Sequence, residues 1–122
     1  MPYTISTDIR DDHLYVHVTG TRTLQGAQGV VRDSVEAARE ASLDRILIDM
    51  RDFQGSLSVG EGWSVINKDL NRYRPHARQK VALLDMPSEQ DRLRTFELIA
   101  ANRGFNLRVF SEEAKAIAWL LV

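Results

Sequence analysis

Three aspartates stand where acid–base or metal chemistry could occur. Asp49 follows the apolar run Ile46–Ile48, Asp52 comes shortly after it, and Asp85 ends the run 81–84. Because ligands of open α/β sheets bind at the carboxyl ends of strands, we expect these carboxylates near one sheet edge. Together they could bind Mg²⁺ or a hydroxylated ligand. We favour the simpler interpretation, in which they cap turns and face water, and expect no metal and no cofactor.

The histidines offer little for catalysis. His13 and His17 share one face of a predicted strand, but four residues of strand separate them by about 13 Å, too far to bind one metal ion together. His76 follows Pro75 and has no Asp or Ser partner nearby in the sequence, so a catalytic triad would need long-range contacts. An enzyme would depend on His76 converging with the three aspartates, and we expect no enzymatic activity.

A glycine- and serine-containing loop, residues 51–58, leads from the central apolar run into a helix. Ser58 and Glu61 have the spacing of a capping box, in which the serine hydroxyl accepts from the Glu61 amide and the glutamate reaches back. Free amides and the helix dipole at this position would also favour a phosphate. Ser58 is therefore a helix cap alone or also a phosphorylation site, with Ser56 as a second candidate. We favour the cap, because Glu61 would repel a phosphate.

The helix after this loop is predicted to span residues 59–74. Its apolar residues recur every three or four positions, at Val59, Trp63, Ile66, Leu70 and Tyr73. Basic residues dominate from this helix into the next strand, at Lys68, Arg72, Arg74, Arg78 and Lys80. The default interpretation is a solvated face. The alternative is a lipid or other anionic ligand between this helix and the sheet, contacted by Trp63, Lys68, Arg72 and Arg74.

The elements that position these residues follow from the periodicity. Strands are predicted at residues 3–8, 14–18, 46–48, 80–85 and 107–110. The first two form an antiparallel hairpin, and amphipathic helices follow the second strand and each later one. The order β-β-α-β-α-β-α-β-α predicts one α/β domain over residues 1–122, with a mixed, mostly parallel sheet covered by helices.

Charge and composition exclude several classes of protein. Sixteen Lys and Arg against seventeen Asp and Glu give a net charge of -1, so nothing attracts the whole molecule to nucleic acid or anionic membranes. The absence of cysteine excludes disulfides and thiolate chemistry. No apolar stretch approaches the ~20 residues that span a bilayer. We expect a soluble, cytoplasmic protein with no transmembrane segment and no nucleic-acid partner.

The last predicted helix carries more apolar residues than one stripe accounts for. The predicted stripe consists of Ala114, Ile117, Ala118 and Leu121. Trp119 and Leu120 lie outside it, so either the helix is buried on two sides or these two residues contact a second copy of the chain. We favour burial and keep a homodimer as the alternative.

Three segments of the chain resemble the STAS and SpoIIAA-like family of anti-sigma-factor-antagonist and sulfate-transporter domains, and its small stand-alone bacterial members in particular. The segments are 46–55, 80–85, and 109–114 together with 118–120. Regulatory members carry an Asp-Ser-Ser-Gly motif at the start of the helix after the central strand, whose first serine a partner kinase phosphorylates. Counted from Asp49, that serine falls on Ser58 and the glycine on Gly60. Leu57 and Val59 replace the aspartate and the second serine.

The resemblance implies a non-enzymatic, STAS-like regulatory or protein-interaction domain that binds through loop 51–58 and the amino end of helix 59–74. The predicted binding residues are Asp49, Asp52, Gly55, Ser56 and Ser58. The alternative function is a small-ligand carrier. A pocket of roughly several hundred Å³ under that helix would favour the carrier, and a solid core would favour the interaction domain.

Overall fold

The computed structural model describes residues 3–70 and 79–122 and contains one five-stranded sheet. Its strands are β1 (Tyr3–Ile9), β2 (Leu14–Thr21), β3 (Arg45–Gln54), β4 (Lys80–Leu84) and β5 (Leu107–Phe110). They lie side by side in chain order, with β1 antiparallel to β2 and the other neighbours parallel. The predicted hairpin and the mixed, mostly parallel sheet are confirmed, and every predicted strand is present. The strand predicted at 46–48 is longer than expected, so residues 51–54 of the predicted loop belong to β3.

Helices connect and cover these strands. The helical elements are α1 (Leu24–Ala41), α2 (Val59–Ser64), a π-helical segment that continues α2 (Val65–Leu70), a 3₁₀ turn (Pro87–Glu89), α3 (Gln90–Asn102) and α4 (Glu113–Leu120). The predicted helix 59–74 is therefore described only as far as Leu70. Tyr73, Pro75 and His76 lie outside the described residues, as do Arg72, Arg74 and Arg78.

The two faces of the sheet have cores of different size. Ile46 and Ile48 of β3 face the larger core, which α1, α2 and α3 cover, whereas Leu47 faces a smaller core that packs against α4. All three side chains are at most 6% exposed. The central strand is thus buried on both faces, as predicted from its continuous apolar run.

The predicted stripe of α2 is wrong at its start. Val59 and Trp63 are 55% and 42% exposed, and the helix faces the core with Gly62 and, in the π-helical continuation, Val65 and Ile66. Gly62 lies directly against the Phe96 ring of α3, where any side chain would clash. This close contact turns Val59 and Trp63 outward.

The predicted stripe of α4 is also wrong. Ala116 and Leu120 are fully buried, whereas Ala114 and Ala118 are exposed. Two stripes offset by one or two positions had the same spacing, so periodicity could not choose between them. Leu120 packs into the smaller core and is unavailable to a second copy of the chain. Half-buried Trp119 packs on Phe110, with ring centroids 5.8 Å apart.

Candidate functional site

The carboxyl end of β3 extends beyond its neighbour β4. Pairing between the two strands ends at Asp49 opposite Leu84, and the rest of β3 pairs with β2 alone. An irregularity in the pairing places one extra β3 residue opposite His17–Thr19. Asp49 and Asp52 therefore lie within β3 and not in a loop. The expectation that they face water is wrong for Asp49, which is buried, whereas Asp52 is exposed.

Asp49 is the centre of a charged network on the α4 face of the sheet, which we call the Asp49 cluster: Arg10, Tyr15, Asp49, Arg51 and Glu113. Tyr15 donates to Asp49 Oδ2 at 2.6 Å, and Arg51 donates from Nε at 2.9 Å and Nη2 at 2.7 Å. Arg51 Nη2 also donates to Glu113 at 3.3 Å. Arg10 lies 4.1 Å over the Tyr15 ring and 3.7 Å from Glu113. The cluster thereby fastens the start of α4 to β2 and β3.

Hydrogen bonding keeps Asp49 charged although it is only 2% exposed. Burial alone would raise the pKa of Asp49, but the hydrogen bonds from Arg51 and Tyr15 outweigh burial and hold its pKa below the usual value. Burial and the bond to Asp49 raise the pKa of Tyr15 to about 12. The Asp49 carboxylate is thus fully engaged inside the protein.

Each predicted aspartate has a separate partner. Asp52, which is exposed, lies 2.7 Å from His17 Nε2, and the His17 ring stacks on Tyr15. Asp85 pairs with Arg22 elsewhere. Within residues 3–70 and 79–122, no three His, Asp or Glu side chains are grouped closely enough to hold a metal ion. Asp49, Asp52 and Asp85 therefore do not form one group of carboxylates at the sheet edge.

Arg22 joins the ends of three strands and had no role in the sequence interpretation. It follows β2, is 8% exposed, and places Nη1 2.8 Å from Asp85 Oδ2 at the end of β4. Its Nη2 donates to the carbonyls of Met50 and Phe53 in β3, at 3.2 and 2.8 Å. The sequence held one signal: an aspartate directly after an apolar strand requires a cation when it is buried. It could not say which cation.

The Arg22–Asp85 ion pair is connected to the predicted loop 51–58 through Glu89. Arg22 Nη1 lies 3.7 Å from Glu89 Oε1, which accepts a 2.7 Å hydrogen bond from the Ser56 hydroxyl. We call Arg22, Ser56, Asp85 and Glu89 the Arg22 cluster. Burial raises the pKa of Asp85 by more than the Arg22 guanidinium lowers it. Ser56 is exposed and hydrogen-bonded to a glutamate in this cluster.

The loop itself is exposed and held at several points. Gly55 has a φ of +102°, a conformation that favours glycine. Ser58 Oγ accepts from Glu61 N at 3.1 Å and Glu61 Oε1 accepts from Ser58 N at 3.0 Å, which confirms the capping box. Arg92 of α3 donates to the Leu57 carbonyl at 2.7 Å. The loop therefore presents Gly55, Ser56 and Ser58 to solvent in a defined shape.

A cavity of about 110 Å³ lies behind this loop, between α1, α2 with its continuation, α3 and the sheet. It is smaller than the pocket that a lipid carrier would need, although the core is not solid. Trp63 and Lys68 are exposed and are not among the residues that line it. Arg72 and Arg74 lie outside the described residues.

Comparison of the sequence with models of known protein families identifies the family of this chain. The profile of the SpoIIAA-like family matches residues 13–121. This chain belongs to the SpoIIAA-like family. A comparison with curated proteins found no match.

Two solved structures share the fold of this SpoIIAA-like domain. One is an anti-sigma factor antagonist from Mycobacterium paratuberculosis, with a TM-score of 0.66, 16% identity, and 98% of this chain and 95% of that chain covered. The other is an uncharacterized protein with a SpoIIAA-like fold from Shewanella loihica, with a TM-score of 0.55, 19% identity, and 97% and 93% covered. No described helix is long and apolar enough to cross a membrane.

Proposed function

We propose that this SpoIIAA-like domain is a non-enzymatic regulatory module that binds a partner protein. Its binding surface, here called the edge surface, consists of Gly55, Ser56, Ser58, Val59 and Trp63. The Mycobacterium paratuberculosis protein of similar fold is named as an antagonist of an anti-sigma factor, a role directed at another protein. That name supports the class of function, while the geometry of this chain supports the location.

The exposure of Val59 and Trp63 carries the proposal. They lie one helical turn apart on α2, 55% and 42% exposed, directly after a polar loop. Large apolar side chains surrounded by polar groups are typical of the centre of a protein interface, where aromatic residues contribute most of the binding energy. The core does not require these two side chains, because Gly62, Val65 and Ile66 face it instead.

The rigidity of the loop also favours binding. The positive φ of Gly55, the Ser58 cap and the Arg92 contact with Leu57 fix the backbone before any partner arrives. A preformed loop loses little conformational entropy on association, so more of the contact energy appears as affinity.

Paired substitutions test the edge surface. Trp63→Ser and Val59→Ser should each reduce recovery of the native partner from the source cells by tenfold or more, as expected for hot-spot residues. Leu98→Ser is the matched control, because Leu98 is an apolar residue of α3 that is 63% exposed and distant in the sequence from the loop. Equal recovery with all three variants would contradict the proposal.

Phosphorylation of Ser58 or Ser56 remains a separate prediction. Glu61 reaches the Ser58 backbone and Glu89 accepts from Ser56, so a phosphate at either serine would meet a carboxylate. We therefore expect the protein from its own cells to carry neither phosphate. Mass spectrometry that found phospho-Ser58 would make the edge surface a phosphorylation switch.

The second candidate function is small-ligand binding, and the cavity behind the loop is the observation that favours it. Its volume fits a small molecule better than a lipid chain, and Trp63 and Lys68 do not line it. The interaction domain is therefore the leading proposal.

A further inference from the structure

The cavity contains a buried hydroxyl group without a partner. Ser34 lines the cavity from α1, is 1% exposed, and its Oγ makes no hydrogen bond with any described residue. The other buried residues of α1 are glycine, valine and alanine. Burying an unpaired hydroxyl costs folding free energy, so a serine at this position is unfavourable unless another molecule pairs with it.

The size of the cavity limits what that molecule can be. The α1 residues that line it run from Ala27 to Val35, which spans about 12 Å of helix axis. Its volume is about 110 Å³. An apolar cavity of roughly 150 Å³ holds a benzene molecule, so this one, with about three quarters of that volume, holds about four or five carbon atoms.

The lining determines the polarity of the ligand. Besides Ser34, three charged residues among those described line the cavity, namely Arg22, Glu89 and Arg92. Arg22 is paired with Asp85 and lies near Glu89, and Arg92 is bonded to the Leu57 carbonyl. The positive charges of Arg22 and Arg92 are balanced by the carboxylates of Asp85 and Glu89, so these four side chains leave no excess positive charge to hold an anionic ligand. Arg22 Nε also has no hydrogen-bond partner among the described residues, but the charge of Arg22 is balanced by Asp85, so this nitrogen does not require an anion.

We propose that the cavity binds an uncharged, mostly apolar molecule of about four or five carbon atoms whose hydroxyl group hydrogen-bonds to Ser34 Oγ. The ligand hydroxyl either donates to Ser34 Oγ or accepts from it, and the apolar body contacts Val30, Ile48 and Leu93. This inference gives a ligand class to the second candidate function. It is independent of the edge surface, since Val59 and Trp63 do not line the cavity.

A matched pair of probes tests the site. Cyclopentanol and methylcyclopentane have nearly the same shape, but only the first carries a hydroxyl. We expect cyclopentanol to shift the NMR signals of the Val30 and Ile48 methyl groups saturably, and Ser34→Ala to weaken its binding by about three- to tenfold, the value of one hydrogen bond. Ser34→Ala should leave methylcyclopentane binding unchanged and should raise the melting temperature, because it removes the unpaired hydroxyl.

Two further variants make each outcome decisive. Val31→Phe places a ring in the cavity and should abolish binding of both probes, while Trp63→Ser should leave both unaffected. Absence of saturable shifts with either probe, or equal binding of cyclopentanol to the wild-type and Ser34→Ala proteins, would overturn the inference. A structure showing only water beside Ser34 in the presence of cyclopentanol would overturn it as well. None of these results would bear on partner binding by the edge surface.

Discussion

Two aspartates of the same sheet, Asp49 within β3 and Asp85 directly after β4, are similarly buried and each paired with an arginine, yet their pKa values are shifted in opposite directions. Asp49 is 2% exposed and Asp85 is 1% exposed. The pKa of Asp49 is lowered, whereas the pKa of Asp85 is raised. The sequence interpretation treated both as residues near one sheet edge that cap turns and face water.

The difference lies in how each arginine is held. Arg51 is two residues from Asp49, its side chain is 39% exposed, and it makes a two-point hydrogen bond to the carboxylate, with Tyr15 as a further donor. The Arg22 side chain is 5% exposed; its Nη1 forms the ion pair with Asp85, whereas its Nη2 donates to two strand carbonyls. Asp85 accepts one backbone bond, from Met86 N, in addition to the ion pair. Burial dominates where donors are few, and hydrogen bonding dominates where they are many.

Removing Arg22 should have the largest effect on stability. Arg22→Met leaves Asp85 buried without its cation and two β3 carbonyls without their donor, and we expect a loss of about 3–5 kcal/mol in the free energy of unfolding. Urea denaturation measures it. The exposed Arg103→Met is the control, with an expected change within about 0.5 kcal/mol. Equal, small losses would show that Arg22 does not hold the three strand ends together.

Asp49→Asn should have the next largest effect. The amide cannot accept the two-point bond from Arg51, so we expect a loss of about 1.5–3 kcal/mol, the range for hydrogen bonds to charged groups. Asp52→Asn, in an exposed pair with His17, should cost less than about 1 kcal/mol. An equal loss in the free energy of unfolding for Asp52→Asn and Asp49→Asn, measured by the same urea denaturation, would contradict this explanation of the buried Asp49 pair.

Tyr15→Phe should cost less than Asp49→Asn, about 1 kcal/mol, because Asp49 keeps its bonds from Arg51. The lost donor should also raise the pKa of Asp49 towards its usual value. NMR titration of the Asp49 carboxyl carbon measures the pKa in both proteins. An unchanged pKa would remove Tyr15 from the explanation of the charged state.

The smallest expected effect is on the pH dependence of folding stability, to which Asp49 and Asp85 should contribute in opposite directions. The lowered pKa of Asp49 contributes stability above the unfolded value of 3.8, and this contribution is lost as pH falls below that value. The raised pKa of Asp85 means that the folded state binds the proton more tightly, so stability declines as pH rises from 3.8 through its folded pKa. Melting temperatures measured at a series of pH values should therefore show a smaller acid loss for Asp49→Asn and a smaller decline above about pH 4 for Asp85→Asn. The same change in both variants would contradict the comparison.

The sequence predicted what depends on local pattern. The order of strands and helices along the chain, the buried central strand and the Ser58 cap follow from periodicity and from a four-residue motif, and all are confirmed. The outward position of Trp63 depends on Gly62 lying against Phe96, thirty-four residues away, so no local pattern contains it. Arg22 and Asp85 are sixty-three residues apart and meet only because parallel strands align their carboxyl ends.

Placing the cross-linking amino acid p-benzoylphenylalanine at one position on each side of the sheet tests the proposed function most directly. Trp63 lies on the edge surface, and Ala118 is an exposed residue of α4 on the opposite face. In the source cells, we expect the protein with the cross-linker at position 63 to be captured with one partner protein, and the protein with the cross-linker at position 118 to remain uncross-linked. Cross-linking of that partner from position 118 and not from position 63 would contradict the account.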